Sequence, residues 1–207
     1  MYNTLFFDLD NTLYPADSGL WEAIGLRIES FLKNEIKMQE EEITTFRLDC
    51  RKKYGTALQG LKHLYQVDDA YYLKYVHDVN LSDYLRKDGR LSALLDSLPQ
   101  RKIVFTNSDI NHARNVLGFL DVERYFEFII DVNQQAPYVK PQKESFSKAL
   151  ELAGLKSADG CVFLDDHLPS VQNAADMGFL GVLIGEDAES DYPYQIADIF
   201  RLPEILK

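Results

Sequence analysis

Four places in this 207-residue chain carry side chains able to do chemistry, and each follows a short apolar run. Asp8 and Asp10 come after Thr4–Phe7; Thr106, Asn107 and Ser108 come after residues 102–105; Asp165 and Asp166 come after residues 161–164. Lys140, in the tripeptide VKP, lies in the loop that follows residues 126–130. Each has an ordinary reading by itself. An Asp-x-Asp pair suits a turn, Asp165 and Asp166 suit a helix cap, Thr106 can close a strand, and a lysine before proline suits a solvated loop. Four carboxylates, a hydroxyl and one ammonium gathered at one rim would do something else. Such a cluster cannot stay ionised without a cation, because like charges a few ångströms apart raise one another's pKa. All-oxygen donors point to a hard divalent ion, most simply Mg²⁺. With Lys140, and with backbone N–H groups at a helix start near Ser108, that ion would attract a dianionic phosphate, so the set suits phosphoryl transfer.

The elements needed to gather these residues are legible. The apolar runs, with a fifth at residues 181–184, are continuous rather than alternating, as strands buried on both faces of a parallel sheet are. Helical spacing follows three of them: Ala113, Val116, Leu117 and Leu120; Phe146, Leu150 and Ala153 before Gly154; Val171, Ala174 and Ala175 before Gly178. The alternation predicts right-handed βαβ units in a doubly wound α/β fold, whose ligands bind beyond the carboxyl ends of the strands.

Strand one breaks the pattern, since no second strand follows for about ninety residues, far beyond a usual connection. The interval holds amphipathic helices instead: Leu20, Ile24, Ile28, Phe31 and Leu32; Ile43, Phe46, Cys50 and Tyr54; Leu58, Leu61, Leu64 and Tyr65. Gly55 separates the last two, and Glu40, Glu41 and Glu42 suit a helix N-terminus. The expected organisation is an α/β core from residues 1–14 and 89–207, interrupted by a helical domain at 15–88. Tyr65, Tyr71, Tyr72 and Tyr75 read as helix packing, Trp21 as core or hinge packing, and His167 as a helix-start residue rather than a ligand.

A net charge of −11 argues against nucleic acid polymers and anionic membranes as partners. The densest basic cluster, Arg51, Lys52 and Lys53, fits a solvated helix face. Two cysteines, Cys50 and Cys161, do not make a disulfide framework, and the chain opens on MYNTLFFDLD without a leader pattern. The expectation is a soluble cytoplasmic protein.

DLDNTL, FTNS, VKP and FLDD, in that order, resemble the four motifs of the haloacid dehalogenase superfamily, and the helical insertion looks like its C1 cap. The resemblance implies that Asp8 is a nucleophile forming an aspartyl-phosphate, and that Asp10 protonates the leaving oxygen and then activates water. It implies that Thr106 and Asn107 bind the phosphoryl oxygens and that Lys140 neutralises charge and orients Asp8. Mg²⁺ would be held by Asp8, the Asp10 carbonyl and the pair Asp165 and Asp166, with the division between those two left open. Halide leaves without a proton and an alkoxide does not. The second aspartate, which the dehalogenases lack, therefore points to a phosphatase.

FFDLDNTLYP, RKKYGTALQGL, YVHDV and VFTNS are similar to the pyrimidine 5'-nucleotidase-like branch, which implies a nucleoside monophosphate, notably UMP or CMP, as substrate. Tyr54, Gly55 and Thr56 at the helix break, and His77, are the candidate specificity residues, through base stacking and polar-edge contacts. Helix packing and capping are the simpler readings of each. The alternatives are a phosphosugar phosphatase or mutase, or a broad metabolite phosphatase, on the same core. A non-catalytic phospho-receiver is disfavoured by the insertion and by Asp10, and an inactive scaffold by the completeness of the motifs.

Overall fold

A computed structural model describes residues 2–185 and 191–207. Six parallel strands, β1 (Thr4–Phe7), β2 (Arg101–Phe105), β3 (Phe128–Ile130), β4 (Cys161–Asp165), β5 (Leu180–Ile184) and β6 (Gln195–Ile196), form one sheet in the order β3-β2-β1-β4-β5-β6. The chain winds outward from β1 through β2 to β3, then crosses to β4 on the other side of β1. β1 and β4 therefore flank the topological switch point, where a crevice opens beyond the strand ends. Their register pairs Phe7 with Leu164, and Asp8 N–H continues the ladder to the Leu164 carbonyl at 2.8 Å. This register brings the first and last acidic motifs to one level.

Every residue of β1 and β4 is buried, as the continuous apolar runs predict. Phe6, Phe105, Phe146, Phe163 and Phe179 form the centre of the core, meeting edge to face at centroid distances such as 5.1 Å for Phe146 and Phe163. The strand expected at 126–130 begins only at Phe128. Glu123–Tyr125 forms a 3-10 turn before it, and the Phe126 ring packs instead on Phe7 at 5.7 Å. β6 has two residues, too few to leave a pattern in the sequence.

By contacts the chain divides into two units, residues 19–84 and the remainder. The division falls about four residues inside the expected 15–88 at each end, because Ala16–Ser18 still belongs to the loop leaving β1 and buried Leu85 belongs with the sheet. The inserted unit contains α1 (Leu20–Asn34), α2 (Glu40–Tyr54), α3 (Ala57–Tyr65), α4 (Asp69–Val76) and α5 (Leu81–Tyr84). Its core is Leu20, Ile24, Phe31, Leu32, Ile43, Cys50, Leu58 and Leu61 with Tyr72, Leu73 and Val76 from α4. Phe31 collects the rings of Tyr71, Tyr72 and Tyr75 within 5.8 Å. Trp21 is 43% exposed and Leu64 53%, so neither serves the core the periodicity suggested.

The sheet unit continues with α6 (Gly89–Ser97), α7 (Ile110–Leu120), α8 (Val132–Gln135), α9 (Lys143–Leu152), α10 (Leu168–Asp176) and α11 (Leu202–Ile205). Ala113, Val116, Leu117 and Leu120 bury the predicted face of α7, and Phe146 and Leu150 that of α9. Among the described residues no helix is long and apolar enough to cross a membrane.

Candidate active site

Asp8 stands just past β1 and Asp165 ends β4, both buried, and Lys140 lies between them. Its Nζ is 2.8 Å from Asp8 Oδ1 and 2.7 Å from Asp165 Oδ2, with the ammonium 5.3 Å from the Phe105 ring centre and 5.2 Å from that of Phe163. Two carboxylates and two ring faces surround one cation that is 3% exposed. Burial opposes the lysine charge, but Asp165 and Asp8 more than offset it and hold the ammonium above its usual pKa.

Asp8, Asp165 and Asp166 each place a carboxylate oxygen within 4.8 Å of the others. Burial pushes the Asp8 carboxyl up to about 7, with Lys140 opposing and the charges of Asp165 and Asp10 adding. Asp166 reaches the surface, yet the low-dielectric surroundings of its carboxyl, then the charge of Asp8, push it up to about 6. Burial likewise raises Asp165, against Lys140. Asp165 Oδ1 accepts the N–H of His167, the residue that caps α10, at 2.8 Å, so Asp165 steadies the turn before the helix and is not itself the cap. Asn11, in the left-handed region at φ 59°, donates to Asp166 Oδ2 at 3.0 Å.

Asp10 points elsewhere. Its carboxylate accepts from the Tyr14 hydroxyl at 2.6 Å and the Ser108 hydroxyl at 2.6 Å, and His112 Nε2 lies 2.9 Å from Oδ1. Burial would raise its pKa, but His112 and these hydrogen bonds outweigh that and hold it well below the usual carboxylate range. Tyr14 and His112 were not among the residues singled out from the sequence. Tyr14 lies within FFDLDNTLYP, four residues from Asp10, so its place in that segment was the available signal, whereas His112 belongs to no motif segment and is 102 positions from Asp10.

Thr106 is 1% exposed, and its Oγ1 accepts the Ser108 N–H at 3.0 Å. The hydroxyl hydrogen is thus not needed for that bond. The Thr106 carbonyl accepts from Gln135 Nε2 at 2.5 Å, and Gln135 accepts in turn from Ser145 at 2.7 Å. Asn107 was expected to bind phosphate; its side chain engages the Lys140 peptide, with one Nδ2 hydrogen donated to the Lys140 carbonyl and Oδ1 accepting the Lys140 N–H, while the second Nδ2 hydrogen takes no part in this pair. It positions the lysine loop.

The four cap candidates have structural duties within the inserted unit. Gly55 ends α2 at φ 87°, Thr56 caps α3 by accepting the Gln59 N–H at 3.1 Å, and His77 ends α4. Tyr54 stacks obliquely on His63 at 5.2 Å and borders a groove with Phe46, Lys53 and Leu64.

A doubly wound parallel sheet with a lysine-held aspartate at its switch point and an acidic pair on the adjoining strand defines an α/β enzyme built around a charged rim. The chain belongs to the haloacid dehalogenase-like hydrolases, which it matches over residues 2–178. It is 29% identical over 208 residues to Phosphate metabolism protein 8 of Saccharomyces cerevisiae, covering 94% of this chain and 64% of that protein. Two solved structures share the fold. A predicted phosphatase from Clostridium acetobutylicum has a TM-score of 0.66 and 18% identity, covering 100% of this chain and 99% of that one. Magnesium-bound YfnB from Bacillus subtilis has a TM-score of 0.62 and 19% identity, covering 99% and 98%.

Proposed function

We propose that this chain is a phosphomonoesterase working through an aspartyl-phosphate. The observation that carries the reading is Lys140 held between Asp8 and Asp165 at the switch point, with a second aspartate two residues past the first. Asp8 attacks phosphorus in line, the phosphorus–oxygen ester bond breaks, and the departing alkoxide takes a proton from Asp10, which is ionised in the free site and takes that proton up on Oδ2 as the dianionic substrate binds. Water then gives a proton to the Asp10 carboxylate and cleaves the acyl phosphate, returning Asp8 and inorganic phosphate. Thr106 donates its hydroxyl hydrogen to the transferring group, and Lys140 balances its charge.

The donor set fits Mg²⁺. Asp8, Asp165 and Asp166 offer only carboxylate oxygens, and full ionisation would set three negative charges against the one on Lys140; burial first, and neighbouring carboxylates after it, raise Asp8 and Asp166. Asp8, the Asp10 carbonyl, Asp165 and Asp166 would hold the ion. When bound, it supplies positive charge to phosphoryl oxygens and offsets repulsion between a dianionic substrate and the carboxylates.

The substrate we infer is a small phosphorylated metabolite, specifically a pyrimidine nucleoside 5'-monophosphate. The likeness of the segments around Asp8, Tyr54, His77 and Thr106 to the pyrimidine 5'-nucleotidase-like branch supports this, with the inserted unit acting as the selecting cap. Cys50 and Cys161 are free buried thiols, in keeping with a cytoplasmic setting.

Steady-state turnover on p-nitrophenyl phosphate, UMP, CMP, AMP and sugar phosphates, with Mg²⁺ and with excess chelator, tests each level. The expected result is Mg²⁺-dependent phosphate release, fastest for UMP and CMP, lost in Asp8→Asn. A tenth of wild-type activity remaining in Asp8→Asn would remove the nucleophile. Equal rates in chelator would remove the metal, and faster sugar phosphates the nucleotide.

A further inference from the structure

The surroundings of Asp10 exceed what burial of one carboxylate requires. Tyr14, four residues on and 4% exposed, donates to Oδ1, while Ser108, from the loop after β2, donates to Oδ2. His112, in the first turn of α7 and 2% exposed, places Nε2 at Oδ1. Oδ1 accepts both when the carboxyl is ionised and when a proton sits on Oδ2, so this contact assigns the hydrogen to Nε2.

The donors are themselves held. Asp109 caps α7, accepting the N–H groups of Asn111 at 2.7 Å and His112 at 3.3 Å, which fixes the turn that presents the imidazole. Ser108 is tied through its N–H to Thr106 Oγ1. The Tyr14 hydroxyl lies 2.6 Å from Oδ1 and donates to it. A carboxylate has about four acceptor positions. Two at Oδ1 and one at Oδ2 are filled, which leaves Oδ2 with one open.

We propose that Tyr14 and His112 are positioning residues that clamp Oδ1 of Asp10 and thereby reserve Oδ2 for proton transfer to the leaving oxygen. The proposal rests on the phosphomonoesterase reading and deepens it. A clamp at three points fixes the carboxylate plane, and misplacing a reacting group by about 1 Å can cost about a hundredfold in rate. Asp10 serves both steps, but only in the first does the cost depend on the leaving group. A leaving group that departs readily without a proton barely needs Asp10, whereas a basic one depends on it.

Phenyl phosphate and p-nitrophenyl phosphate differ by one nitro group, and phenolate is the more basic leaving group. For Tyr14→Phe, His112→Leu, His112→Gln and Asp10→Asn, kcat and KM are measured on both esters with Mg²⁺, alongside thermal unfolding. Tyr14→Phe and His112→Leu should lower kcat/KM, which reports the steps up to release of the leaving group, about tenfold more for phenyl phosphate than for p-nitrophenyl phosphate. His112→Gln, which keeps an N–H donor, should recover part of the loss, and Asp10→Asn should show the same selectivity more strongly.

Equal losses on both esters in Tyr14→Phe and His112→Leu, with Asp10→Asn still selective, would overturn the clamp and leave the phosphatase standing. A wild type inactive on both esters overturns both readings together. Should His112→Leu fail to fold, Tyr14→Phe, which keeps its ring, decides alone.

Discussion

Asn107 and Lys140, 33 residues apart, exchange two hydrogen bonds: the amide donates to the lysine carbonyl at 2.9 Å and accepts the lysine N–H at 3.0 Å. One side chain thus binds the loop after β3 to the end of β2 and sets where the buried ammonium enters the site. Asn107→Ala should leave both peptide groups short of a partner, at about 1–3 kcal/mol of stability. Activity should fall roughly tenfold as Lys140 loosens. Urea unfolding and phosphatase rates check this; wild-type values in both would show the clasp to be idle.

Lys140 itself is a single cation between two buried carboxylates. Lys140→Met keeps a stem against Phe105 and Phe163 but strands Asp8 and Asp165, and breaking a buried pair in this way costs about 3 kcal/mol or more. In chelator the variant should be markedly less stable than wild type at pH 8. The gap should narrow at pH 5.5, where both carboxyls can protonate. A gap that widens on acidification contradicts the assignment.

The raised carboxyls give stability a pH sign. Asp8 at about 7 and Asp166 at about 6 lie above the 3.8 of an ordinary aspartate. Their contribution is therefore complete below about pH 4 and is lost as pH rises through 6 and 7. His112, also raised, acts in the same direction. Without metal the melting temperature should fall between pH 5.5 and 8, and excess Mg²⁺ should reduce the fall, because an ion that binds only the folded state stabilises it. Calorimetry showing a rising or flat melting temperature in chelator refutes this reading of the cluster.

In the inserted unit, Gly60 lies where α3 meets α2. A Cβ there would fall 2.8 Å from the Cys50 Cβ and closer still to its sulfur. Gly60→Ala should destabilise this unit by about 1–3 kcal/mol through overpacking, despite alanine's better helix propensity. Trp21, the sole tryptophan, is in the same unit, so its fluorescence during urea unfolding reports the change. An unchanged or raised midpoint would mean that the helices separate at little cost.

The sequence by itself determined the strands that carry the site. β1, β2, β4 and β5 fall within a residue of the apolar runs, because strands buried on both faces need unbroken apolar residues, and that demand is local. The same holds for the helices that glycines end, and for the insertion, visible as a long gap between strands. β3 begins two residues late because Phe126 serves packing on Phe7 rather than the ladder.

Only the tertiary structure decided what each polar side chain does. Asn107 faces Lys140, while Tyr14, Ser108 and His112 face Asp10, and the Ser108 and His112 partnerships join residues 98 and 102 positions apart. Burial imposes a requirement on each of these groups, that it find a hydrogen-bonding partner, but not which partner. For Asn107, Ser108 and His112 that choice follows from the parallel strands, which set their loops side by side, and no run of neighbouring residues encodes it, whereas Tyr14 reaches Asp10 within one segment.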